Sequence, residues 1–139
     1  MATSTRTVSA YRFPKWGNAH NYAVALEHFA IDEGFEIPLF ENVFTTIGQV
    51  FSKRIQLPQQ RVTFDVFYTT RASTGGPNEA LLSAPNGPAW KGEVIVIRRS
   101  KIHNGYVNLR KGDQGSALAA AYQVIRDLKD DSGHTWDRH

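Results

Sequence analysis

The spacing of apolar positions changes several times along the chain, and each change marks an element. Val94, Ile95, Val96 and Ile97 follow one another without alternation. A strand over 92–99, buried on both faces in mid-sheet, accounts for such a run. Val62, Phe64, Val66 and Tyr68 alternate with Arg61, Thr63, Asp65, Phe67 and Thr69. That pattern predicts a strand over 61–70 with one apolar face, leaving Asp65 and Phe67 on the other. Asn104–Gly105 is a two-residue turn signal, so 92–99 and 105–110 are expected to form a hairpin. Tyr11 and Phe13 alternate with polar neighbours over 9–13, which adds a fourth strand; Pro14 confines it to a sheet edge.

Elsewhere the apolar residues recur at helical spacing. Tyr22, Ala25, Leu26 and Phe29 form one stripe behind Asn18, a good N-cap, and Gly34 ends it. Leu39, Phe40, Val43, Phe44, Ile47, Val50 and Phe51 form a second stripe behind Pro38, with Gly48 interrupting it and Leu57–Pro58 closing the segment. Leu118, Ala121, Tyr122, Ile125 and Leu128 form a third, in an alanine-rich helix that starts at Asp113 or Ser116 and runs to Lys129. The expected fold class is therefore α+β: two N-terminal helices, a three- to four-stranded antiparallel meander, and a C-terminal helix packed on one face. Residues 1–9 are expected as a flexible arm, 71–89 as a long loop with Leu81 and Leu82 pinning its middle, and 130–139 as a polar tail. Helices on one face leave the other open to a ligand or partner.

At 139 residues the chain is expected to form one domain, 1–139, with a core that needs no staples. It has no cysteine, so disulfides, thiol nucleophiles and thiolate metal sites are excluded. No run approaches the roughly 20 apolar residues that span a bilayer, so no membrane partner is expected. The N-terminus lacks the apolar core of a secretory signal, and Pro14 and Gly17 break the helix a transit peptide would use. A cytoplasmic or nuclear location follows as the expectation. The net charge of +3 is small, but residues 53–111 hold ten Lys/Arg against three acids, an excess of +7, so the remainder carries −4. A basic middle between acidic flanks points to a polyanionic partner.

The cations near the hairpin are the first candidates for chemistry. Arg61, Arg99, Lys101, Arg110, Lys111 and Gly112 are the expected anion- or nucleic-acid-binding residues. Neighbouring strand residues point to opposite faces, so Arg98 and Arg99 cannot serve the same surface. Arg110–Lys111–Gly112 leads into a helix start, where free amides attract anions. Three functions follow in order. The first is a binding module for RNA, DNA or another polyanion. The second is a homo-oligomeric interaction domain, a homodimer in the simplest case, in which a second copy covers one side of 94–97. The third is a small metal-independent ribonuclease using His103 and Asp65 as acid–base groups. No motif names a reaction, and the expectation leans away from catalysis. No cofactor is implied. His20, His28 with Asp32, and His134, Asp137 and His139 match no strong metal-ligand spacing.

Overall fold

The computed structural model describes residues 3–14, 17–29, 35–40, 50–59, 61–69, 78–82, 90, 92–102 and 105–132. Among the described residues, seven strands, a short helix and one long helix follow in chain order. The strands are β1 (Thr3–Phe13), β2 (His20–Phe29), β3 (Phe35–Leu39), β4 (Phe51–Leu57), β5 (Val62–Tyr68), β6 (Val94–Arg99) and β7 (Tyr106–Val107). Helix α1 (Glu79–Leu82) precedes β6, and α2 (Gln114–Ser132) closes the chain after one 3-10 turn, Lys111–Asp113. All pairings are antiparallel, in the order β3-β2-β1-β6-β5-β4, with β7 joined to β6 beside β1.

The architecture is mostly sheet, and the two expected N-terminal helices are replaced by strands. Residues 20–29 carry two overlapping periods. Tyr22, Ala25, Leu26 and Phe29 repeat as on a helix, while Tyr22, Val24 and Leu26 share one strand face. Ala23 and Ala25 are apolar on the opposite face and hide the alternation. Ten residue pairs with β1, from Thr3↔Phe29 to Arg12↔His20, decide between them. That is a long-range term no local propensity contains. Pro38 lies in β3, the terminal strand of the sheet among the described residues, where a missing amide proton is tolerated. Phe51 begins β4, in which Ile55 faces the core between Arg54 and Gln56. Gly34, Gly48 and the stripe from Val43 to Ile47 lie outside the described residues.

The strand expected at 9–13 exists, but it is central rather than an edge. It runs from Thr3, so residues 3–9, expected as a flexible arm, pair with β2 instead. Pro14 falls just beyond its end. β1 pairs with β6 only from Tyr11 to Phe13. Further along, β7 and the residues after it occupy the gap, with the Leu109 amide donating to the Ser9 carbonyl at 2.8 Å and the Ser9 amide to Asn108 Oδ1 at 2.8 Å. Within the segment expected as a loop at 71–89, Glu79–Leu82 is helical; buried Asn78 caps it, accepting from the Leu81 amide and donating to the Phe13 and Gly92 carbonyls. Of the expected tail, Asp130–Ser132 continues α2, and the rest, with Trp136, lies outside the described residues.

The sheet curls into a half-barrel; α2 covers its convex face over β4–β6, while on β2 and β3 that face carries exposed Asn21, Ala23 and Ile37. On the convex face, Phe13, Ile55, Phe64, Val66, Val94 and Val96 pack against α2. Its contact stripe is Ala117, Ala120, Ala121, Val124 and Ile125, about one residue round from the one read in the sequence. The alanines are therefore contact residues that bring the helix axis close to the sheet, as well as helix formers. On the concave face, Val8, Ala10, Val24, Leu26, Ile95 and Ile97 meet Tyr106. The curl is fixed by Phe40, after β3, against Phe67 of β5 at 4.9 Å, and by Glu36 of β3 accepting from the Tyr106 amide at 3.0 Å. Val94, Ile95, Val96 and Ile97 are each at most 1% exposed. The apolar run on β6 is thus covered on both sides without a second copy of the chain.

Candidate functional site

Strand alternation sorts the hairpin cations. Arg98 shares the convex face with Phe64 and reaches Asp113, Nη1 to Oδ2 at 2.6 Å. The same carboxylate oxygen accepts the Arg110 amide at 2.9 Å. The cation and the free amide before α2 are thus turned onto the protein's own acid. Arg110, Lys111 and Gly112 are exposed, at the 3-10 turn leading into α2.

Arg99 belongs to the concave face. There Asp65 of β5, 7% exposed, is the centre of a polar cluster. Arg54 of β4 lies directly across from it in the ladder and donates through Nε to Oδ1 at 3.0 Å. Arg99 donates through Nη1 to Oδ2 at 3.0 Å, and the Tyr106 hydroxyl donates to the same oxygen at 2.7 Å. The Arg99 guanidinium also lies 5.4 Å from the centre of the Tyr106 ring. Burial, and then the hydrogen bond to Asp65, push the Tyr106 phenol well above its ordinary value. It therefore stays a neutral donor. Both Asp65 oxygens accept hydrogen bonds, and the carboxylate holds Arg54, Arg99 and Tyr106 in place. The other residue weighed for acid–base chemistry, His103, lies outside the described residues.

Above this cluster, at the end of the sheet, is a recess of about 530 Å³. Arg54 and Gln56 of β4 and Thr63 of β5 line it along the ladder. Pro58 and Arg61 close it from the β4–β5 turn, and Arg99, Ser100 and Lys101 from the end of β6. Three of the six residues read as anion-binding, Arg61, Arg99 and Lys101, therefore meet in one place; Arg110, Lys111 and Gly112 are not among its lining. Arg61 and Lys101 are exposed and carry no ion pair among the described residues. Arg61 has φ of 54°, the left-handed region that a non-glycine residue adopts at a cost of about 1–2 kcal/mol. Its amide donates to the Pro58 carbonyl at 3.2 Å, which sets the turn.

The sequence reading missed Arg54, Gln56 and Thr63. The signal was present: Ser52, Arg54 and Gln56 alternate with Lys53, Ile55 and Leu57, but the helical period assigned upstream ran into this segment. Two further ion pairs brace the concave face away from the recess. Arg6 grips Glu36 through two nitrogens at 2.6 and 2.7 Å and also reaches the Tyr106 carbonyl. Arg12 meets Glu93 at 2.9 Å and lies over the Tyr22 ring. Among the described residues no group of three His, Asp or Glu side chains could hold a metal ion, and no helix is long and apolar enough to cross a membrane. No protein-family model, curated protein or solved structure matches the chain.

Proposed function

We propose that the chain is a binding module for nucleic acid or another polyanion, which it holds at the recess formed by β4, the β4–β5 turn and the end of β6. The supporting observation is that four of the eight side chains lining that recess are cationic, drawn from three separate segments, with one carboxylate beneath them already shared. Arg61 adds weight. Its left-handed turn position, which glycine would occupy without strain, places a cationic side chain at the recess. Arg54 and Arg99 supply planar forks, Lys101 a compact charge, and Thr63 and Gln56 neutral donors, a set suited to phosphate oxygens.

A salt titration tests this. Three or four phosphate contacts give a slope of log affinity against log salt of about −2 to −4. Binding of a single-stranded or duplex oligonucleotide, read by fluorescence anisotropy, is then expected to weaken by roughly 15- to 250-fold for a fourfold rise in salt. Charge reversal at Arg61 and Lys101 is expected to flatten that slope. Absence of any salt-sensitive binding at low ionic strength would sink the proposal.

A further inference from the structure

Resting on the anion-binding reading, the charge gathered at the recess narrows the class of ligand. Among the described residues, Arg54, Arg61, Arg99 and Lys101 bring four positive charges to about 530 Å³ against the one negative charge of Asp65 beneath them. An internal phosphodiester of a nucleic acid brings a single negative charge, with the next about 3.4 Å further along the strand axis or more. A terminal phosphoryl group carries about −1.5 to −2 near neutral pH, and a diphosphate more. Compact, multiply charged groups of that kind match a concentrated excess; a string of single charges matches an extended groove.

The donors agree with this. Asp65 holds Arg54 by Nε, so both Nη atoms of that fork are without a partner among the described residues. A fork with two open nitrogens is complementary to two oxygens of one phosphoryl group. Among the described residues no aromatic ring lines the recess. The nearest concave-face rings are occupied: Phe67 packs between Phe40 at 4.9 Å and Tyr106 at 6.5 Å. Base stacking, the sequence-tolerant term of single-strand binding, therefore has no platform there among the described residues. We infer that the recess binds a compact phosphoryl group, a phosphate monoester or a diphosphate, and recognises it apart from the molecule that carries it. The carrier is either a phosphorylated small molecule or the phosphorylated end of an oligonucleotide.

The test uses the full chain and inorganic pyrophosphate in isothermal titration at low salt. Binding at one site is expected, weakened by about tenfold in each of Lys101→Ala and Arg61→Gly. Both residues are exposed, so the variants keep the fold, which circular dichroism verifies. A second arm compares 5′-phosphorylated and 5′-hydroxyl oligonucleotides of one sequence. About a tenfold preference for the phosphorylated end identifies nucleic acid as the carrier; equal affinities beside intact pyrophosphate binding identify a small molecule. Absence of pyrophosphate binding at millimolar concentration, or binding undiminished in both variants, overturns the inference. If oligonucleotides still bind with a steep salt dependence in that case, the broader polyanion function stands and only the phosphoryl-group assignment falls. If neither binds, both fall.

Discussion

Replacing Asp65 by Asn removes one charge from a site where three groups depend on it, and the expected loss can be worked from their exposures. Arg54 has a side chain 60% exposed, so its half of the cluster behaves as a surface ion pair and contributes at most about 1 kcal/mol. Arg99 is 13% exposed and Asp65 10%, measured on side chains, so their bond is a partly desolvated, charge-assisted one of about 1.5–3 kcal/mol. The Tyr106 hydroxyl, buried, gives its proton to the same carboxylate at 2.7 Å and would be left facing an amide. Asn retains one acceptor oxygen, which recovers part of this. A net destabilisation of about 2–4 kcal/mol is expected. Urea unfolding should show it as a lower midpoint with an unchanged slope, since the surface exposed on unfolding is the same. Arg54→Met should cost no more than about 1 kcal/mol. A cycle combining Asp65→Asn with Tyr106→Phe should show coupling of about 1 kcal/mol or more. The reasoning is refuted if Asp65→Asn costs under about 1 kcal/mol, or if Arg54→Met costs as much as Asp65→Asn.

Three further outcomes are expected. Gly92→Ala would place a Cβ 2.0 Å from the Thr69 carbonyl oxygen and 2.5 Å from its hydroxyl, so the backbone just before β6 or just after β5 must shift, with a loss of at least about 1–3 kcal/mol and a lower midpoint in thermal unfolding. Arg61→Gly relieves a left-handed arginine but frees the unfolded chain; stability should change by less than about 1 kcal/mol in denaturant titration while phosphate affinity falls. Tyr68, Tyr106 and Tyr122 all have phenol values raised, in each case chiefly by burial. Each therefore contributes stability that is full below pH ~10, where unfolded phenols are still protonated, and that is lost as pH climbs toward the folded value. Unfolding free energy should thus fall above pH ~10, by up to about 1.4 kcal/mol per pH unit for each phenol, and Tyr106→Phe should make that decline shallower.

What the chain reveals locally and what it hides follow from how far apart the deciding partners lie. The alternation of Val62 to Tyr68, the unbroken run of Val94 to Ile97 and the alanine-rich terminal helix are each legible because one element's own residues carry the pattern. The segment 20–29 is different, since Ala23 and Ala25 make its two faces similar in polarity, and only the ladder with β1 separates strand from helix. The double coverage of β6 was legible as a requirement, but not its source: the curl that brings Phe40 onto Phe67 joins residues 27 apart in the chain. For the site, Arg61, Arg99 and Lys101 could be named from charge and turn signals, whereas Arg54 could not, because its role comes from facing Asp65 across β4 and β5.

Arg98 and Arg99 show how this fold gives two identical neighbours separate work. Two residues back from each, β6 is wholly buried: Val96 on the convex face and Ile97 on the concave one are 0% exposed. The next step outward on either face is an arginine, so both guanidinium groups lie where the apolar interior ends. A cation at such a boundary keeps its stem in the core and needs an acid or water for its head. On the convex face Asp113 answers fully, and Arg98, with a side chain 10% exposed, joins the sheet to the start of α2. On the concave face Asp65 is shared by Arg99, Arg54 and Tyr106. Arg61 and Lys101 join Arg54 and Arg99 at the recess above it. An anion entering the recess would meet cations that share this carboxylate, whereas Arg98 has Asp113 to itself among the described side chains. Changing the charge balance at each site should therefore separate the two roles. Thr63→Asp, which adds a carboxylate to the recess wall, should abolish phosphate binding, while Asp113→Asn should lower stability and leave binding unchanged.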